Sequence, residues 1–195
     1  MSQEIKVTLD KFVPRSYQLP LITAIESGKF KRVVSVLPRR AGKDVAAFNV
    51  MFRMALRRVG VYYYIFPTFT QAKRVIWQSI LNDGSKFLDF IPKELVQQKN
   101  ESELRINLKN GSVIQLVGSD NYDGLVGTNP CGLVFSEYAL QDPRAYQFLR
   151  PILAANDGWA VFISCVSPDT VVITDKGMKR SKDVCSSRVR YTDLS

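Results

Sequence analysis

The run from Arg32 to Arg57 constrains the fold of this chain more than any other stretch. Arg32–Leu37 is apolar and β-branched, as a buried strand is, and Lys43–Arg57 suits a helix. Only Pro38-Arg39-Arg40-Ala41-Gly42 stands between them, so the strand passes straight into the helix. Backbone N–H groups in such a turn, with the helix N-terminus behind them, form a concave anion site. Arg39, Arg40, Ala41 and Gly42 supply that cradle, and Lys43 reaches the β- and γ-phosphates of a nucleoside triphosphate. Asp44 stands where the common motif has Ser or Thr, so a carboxylate replaces a hydroxyl as the Mg²⁺ ligand. Leu37 stands where that motif has its first glycine.

The 195 residues support one domain with a real core and some length to spare. A hydrophobic content of 46% excludes wholesale disorder. No apolar run approaches the ~20 residues of a membrane span, and Met1 to Asp10 has no signal-peptide core. The expectation is a soluble intracellular protein without a membrane partner. Net charge is +9, which favours a polyanion partner, nucleic acid foremost. The three cysteines, Cys131, Cys165 and Cys185, are unclustered and histidine is absent. Zinc sites and imidazole catalysis are therefore not expected.

Pro14 precedes a helical segment, Ser16 to Ser27, closed by Gly28. Gly60–Phe66 reads as a second strand, and Thr68–Asn82 as a helix capped by Thr68 or Thr70, with Ala72, Val75, Ile76 and Ile80 facing inward. Leu104–Leu108 and Ser112–Val117 flank Asn110-Gly111, a hairpin signal. Gly132–Phe135 and Trp159–Ser164 read as buried strands, with a helix at Pro143–Leu153 between them. Such alternation predicts an α/β fold of the P-loop NTPase type: a mainly parallel sheet, helices on both faces and one inserted hairpin. Ligands in such folds sit at the carboxyl ends of the strands, where the loop after Leu37 begins.

Further residues converge on the same chemistry. Tyr17-Gln18 precedes the first core strand, and a side-chain amide there can read the edge of adenine. Arg39 points to the γ-phosphate, where it suits binding and transition-state charge. Leu133-Val134-Phe135 ends in Ser136-Glu137. Glu137 is the candidate for polarising the attacking water. Ser136 takes the place of the usual metal-organising Asp, so Asp44 supplies the missing carboxylate from the other side of the Mg²⁺. Trp159–Ser164 follows as a strand whose terminal hydroxyl would sense loss of the γ-phosphate.

Pro14-Arg15-Ser16-Tyr17-Gln18, Pro38 to Asp44, Phe66-Pro67-Thr68 through Gln71-Ala72-Lys73, Gly124 to Asn129, Val134 to Ala139 and Trp159 to Ser164 together resemble the large terminase subunit of tailed bacteriophages. The resemblance spans roughly residues 12–164 in the right order. It implies the ATPase motor that drives double-stranded DNA into a preformed capsid, in the cytoplasm of the infected bacterial host. Carried over, Gln18 contacts adenine, Arg39 and Lys43 contact phosphates, Asp44 and Ser136 serve Mg²⁺, and Glu137 activates water. The implied partners are double-stranded DNA, the small subunit, the portal of the procapsid, and further copies in a ring. Val126 stands where many terminases have a trans-acting arginine, with Arg144 or Arg150 as substitutes. No acidic cluster for a nuclease is present, so this chain is not expected to cut DNA. A related translocase or helicase, or a DNA-binding fragment with a dead nucleotide site, are the alternative readings.

Terminases continue Ile-Ser with Thr-Pro; here Ile163-Ser164 leads into Cys165-Val166-Ser167-Pro168-Asp169-Thr170 and the strand-like Val171–Thr174. That run resembles the opening block of an intein, whose Cys attacks the preceding carbonyl to form a thioester. The resemblance implies two parts: residues 1–164 as the terminase ATPase portion, and 165–195 as a short β-containing intein segment. Cys165 would be the splicing nucleophile, and removal of the insertion would join Ser164 to a Thr. The histidine and terminal blocks of an intein are missing. Splicing therefore needs a complementary C-terminal fragment, as in a split intein, unless the run is an incidental tail.

Overall fold

The computed structural model describes Leu9 and residues 11–125, 127–165, 171–174 and 177–180. Val126, Cys185 and the junction residues 166–170 lie outside the described residues. A single 3₁₀ turn, Ser16–Gln18, opens into α1 (Leu19–Glu26), and Gly28, at φ 70°, ends it. Then follow β1 (Arg32–Leu37), α2 (Lys43–Arg57), β2 (Val61–Phe66) and α3 (Phe69–Ala72). Three strands come next: β3 (Val96–Asn100), β4 (Arg105–Leu108) and β5 (Val113–Gly118). The core closes with β6 (Pro130–Ser136), α4 (Pro143–Ala155) and β7 (Trp159–Cys165). Beyond it, β8 (Val171–Thr174) and β9 (Gly177–Arg180) pair antiparallel.

The sheet is seven-stranded in the order β1-β7-β6-β2-β5-β4-β3. The first five of these run parallel, which gathers their carboxyl ends along one rim. Strand polarity explains the burial. Tyr62, Tyr64 and Phe66 face one side of β2 and pack with α1 and α2, while Tyr63 and Ile65 face the other and pack with α4. With both faces covered, β6 is buried along its whole length and reads as continuous apolar sequence. The expected α/β architecture, with helices on both faces, is what the chain adopts.

Three local expectations change. The hairpin around Asn110-Gly111 forms, but β5 runs parallel to β2 and belongs to the main sheet, while β4 and β3 extend it antiparallel. Strand β3 carries no apolar alternation because its three central residues, Gln97, Gln98 and Lys99, are exposed. The helix expected over Thr68–Asn82 ends early. Thr68 caps it by accepting the Gln71 N–H at 3.2 Å, but after Ala72 the chain widens into a π turn, Lys73–Trp77. That turn shifts the register of the apolar face: Ala72 and Ile76 are buried, whereas Val75 and Ile80 are exposed.

Candidate functional site

After β1 the backbone turns through two left-handed residues, Arg40 (φ 64°) and Gly42 (φ 70°). Glycine meets a double demand at position 42, because a Cβ there would also stand 3.0 Å from Nε2 of Gln18. The Ala46 N–H bonds back to the Gly42 carbonyl at 3.0 Å, so α2 starts immediately and its first-turn N–H groups face the rim. Gln18 is buried behind this loop. Its Nε2 donates to the carbonyls of Ala41 (3.0 Å) and Gly42 (3.1 Å), and its Oε1 accepts the Arg15 N–H at 2.9 Å. Tyr17 adds its hydroxyl to the Ala41 carbonyl at 3.2 Å. Gln18 is thus placed at the expected loop, but its amide nitrogen is committed to that loop's carbonyls and its oxygen to the Arg15 N–H. Arg39 and Arg40 are exposed at the mouth and form no ion pair among the described residues.

The parallel register carries the end of β6 to the same rim, across β7 from β1. Lys43, only 8% exposed, reaches from the first turn of α2 to Glu137, with Nζ 2.8 Å from Oε1. Glu137 itself holds a left-handed backbone (φ 55°, ψ 46°), an uncommon state for a non-glycine residue that turns its carboxylate toward the loop. Beneath this pair, Asp44 Oδ1 accepts hydrogen bonds from the hydroxyls of Ser136 (2.6 Å) and Tyr64 (2.9 Å). Asp44 Oδ2 lies 3.7 Å from Lys43 Nζ. A carboxylate beside a hydroxyl is a hard-oxygen donor set. It fits a magnesium ion that draws its other ligands from phosphate and water. No group of three or more His, Cys, Asp or Glu side chains suited to a metal occurs among the described residues, so an all-protein cage is not built here.

Cys165, the last residue of β7, enters the same cluster. Its Sγ is 2.9 Å from Lys43 Nζ, and its N–H lies 3.4 Å from Oε2 of Glu137. Arg39, Arg40, Lys43, Glu137 and Cys165 line a cleft of about 410 Å³. Burial works against the Lys43 charge. The contacts with Cys165 and Glu137 and the charge of Asp44 outweigh it, and its pKa is held above that of an ordinary lysine. Burial likewise works to raise the Glu137 pKa, but Lys43 and the Cys165 N–H bring it below the ordinary carboxylate value. Tyr64, fully buried and beside the Asp44 carboxylate, has its phenol pushed well above its usual range and stays a neutral donor.

Two residues of this constellation escape a reading of the sequence. Tyr64 sits inside an apolar run, where its ring reads as core and nothing marks its hydroxyl. Gln141 donates to the carbonyls of Ile65 (3.0 Å) and Ser136 (2.7 Å), tying the ends of β2 and β6 together. No local pattern distinguishes it from a loop residue. Arg144 forms an ion pair with Asp142 at 2.6 Å near the start of α4, and Arg150 is exposed on that helix; neither lines the cleft.

No protein-family model matches the chain. Over 154 residues, 77% of this chain and 34% of the relative, it is 27% identical to the terminase large subunit of Escherichia phage T5. The structure superposes on the ATPase domain of the large terminase of Thermus phage P74-26 with a TM-score of 0.60 at 23% identity, covering 80% of this chain and 66% of that one. The chain has the fold of a terminase ATPase domain. The large terminase of another thermophilic bacteriophage, solved in complex with ATP-γ-S, gives a TM-score of 0.58 at 14% identity over 76% of this chain and 37% of that one. The chain spans about a third of the length of the curated terminase it matches. The terminase-like core is the sheet that carries Lys43, Glu137 and Cys165 to one rim. No described helix is long and apolar enough to cross a membrane.

Proposed function

We propose that this chain is the ATP-hydrolysing portion of a phage DNA-packaging terminase. The observation that supports the proposal is the 2.8 Å contact in one cleft between Lys43, which opens α2, and Glu137, which follows β6. In this reading the loop of residues 38–44 takes the phosphates on its backbone N–H groups, and Lys43 turns from Glu137 to the β- and γ-phosphates. Glu137, released from Lys43, is then free to take a proton from the attacking water. Arg39 meets the charge that develops on the γ-phosphate. Asp44 and Ser136 would hold Mg²⁺, which when bound neutralises phosphate charge. Gln18 supports the loop and acts at the base only by exchanging its loop contacts for adenine.

Double-stranded DNA is the proposed polyanion, with the small subunit and the portal of the procapsid as protein partners. A ring of copies in the host cytoplasm is the proposed working state. Residues from Cys165 onward are proposed as the N-terminal segment of a split intein. The motif Cys165 to Thr170, the Ser164–Cys165 junction at the end of a core strand and the following β8–β9 pair support this reading. Mixing the chain with a complementary C-terminal fragment and measuring intact masses tests it; the splicing reading fails if Ser164 never becomes joined to the new chain.

Phosphate release from ATP, with and without Mg²⁺, tests the motor reading. Glu137→Ala is expected to lower kcat by about 10²–10⁴-fold, and Asp44→Ala to abolish the Mg²⁺-dependent part. Unchanged turnover in Glu137→Ala overturns the assignment. Strand separation of a short duplex by the chain alone would move the reading to a helicase.

A further inference from the structure

The reading of the cleft as a nucleotide site leaves one occupant unexplained. Cys165 contributes nothing to phosphate recognition, yet its sulfur stands 2.9 Å from the ammonium expected to grip the triphosphate. Its own N–H points to the second oxygen of Glu137 at 3.4 Å. Lys43 and Glu137 are the two side chains that must change partners when nucleotide arrives, and Cys165 holds both. The contact is built by the sheet: Leu37, at the start of the loop, pairs in register with Cys165. Lys43 is only 8% exposed, so few other orientations of its ammonium are open to it.

We infer that Cys165 is an autoinhibitory latch on the nucleotide site: its thiol and a bound triphosphate compete for Lys43, so each weakens the other. By linkage, whatever strengthens the Lys43–Cys165 contact lowers triphosphate affinity, and bound triphosphate weakens that contact by the same factor. This inference rests on the ATPase reading of the cleft and does not require the splicing reading. Where splicing does occur, the acceptor Thr takes the place of Cys165 and weakens the latch without abolishing it, since its hydroxyl remains a polar partner for Lys43. The interruption then weakens triphosphate binding as well as breaking the chain.

The test uses the full chain, Mg²⁺ and ATP-γ-S. Isothermal titration of Cys165→Ala against the parent is expected to show binding tighter by about three- to tenfold, the range for loss of one competing hydrogen bond. Cys165→Ser, which keeps a polar partner for Lys43, is expected to fall between them. Equal affinity in parent and both variants overturns the latch while leaving the ATPase reading standing. Absence of binding in the parent and both variants overturns the ATPase reading, and the latch with it.

Discussion

Asp44 shows how much a single side chain depends on its neighbours. One of its oxygens is committed to two hydroxyl donors, Ser136 and the fully buried Tyr64, which leaves the other to face Lys43 and the cleft. Tyr64→Phe removes a buried donor from a charged acceptor and is expected to lower unfolding free energy by about 1–2 kcal/mol in urea titrations. Glu137 carries the pH dependence. Its folded pKa lies below the ordinary value of 4.5. The stability it adds is therefore complete above that value and fades as pH falls through the lower, folded one. The melting-temperature gap between the parent and Glu137→Gln should be constant from neutral pH down to about pH 5 and close only as pH falls below 4.5. A gap independent of pH would show that Glu137 is not ion-paired in solution.

Among the elements, the site depends on where strands stop. β1, β6 and β7 end at the same level because they are parallel and in register, so loops distant in sequence become neighbours. The junction after β2 is set by close packing of backbone. A Cβ on Gly118, at the end of β5, would lie 2.5 Å from the Phe69 nitrogen and 2.9 Å from the Thr68 carbonyl carbon. Neither atom can yield without moving the start of α3. Gly118→Ala is expected to destabilise the protein by about 2–3 kcal/mol, whereas Thr68→Ala, which removes only the cap, should cost about 1 kcal/mol. Thermal denaturation of both variants checks the order; equal effects would mean that this approach is not tight.

The protein as a whole combines a net charge of +9 with a rim of exposed arginines at the cleft mouth. If double-stranded DNA is the partner, its dissociation constant should rise on the order of a hundredfold between about 50 and 200 mM salt, as for some four neutralised phosphates. A salt-independent affinity would remove counterion release from the account. Much of this molecule is legible in its sequence, because strand and helix periods, the loop glycine and the apolar run into Glu137 are local signals of local backbone physics. The early end of the helix after Thr68 and the strand at Val96–Asn100 are not, since a π turn and an exposed edge strand leave no apolar period to read. The linear order of residues is enough to say which positions carry charge and that Gly132–Phe135 and Trp159–Ser164 run through the core, but not that the first strand, Arg32–Leu37, lies at the sheet edge with Val34 and Val36 exposed. Nor is it enough to say that Gln18 braces the loop after that strand, that Tyr64 and Ser136 share Asp44, or that Cys165 meets Lys43. Those contacts join positions far apart along the chain, and their partners are chosen by the register of parallel strands, which no single segment encodes.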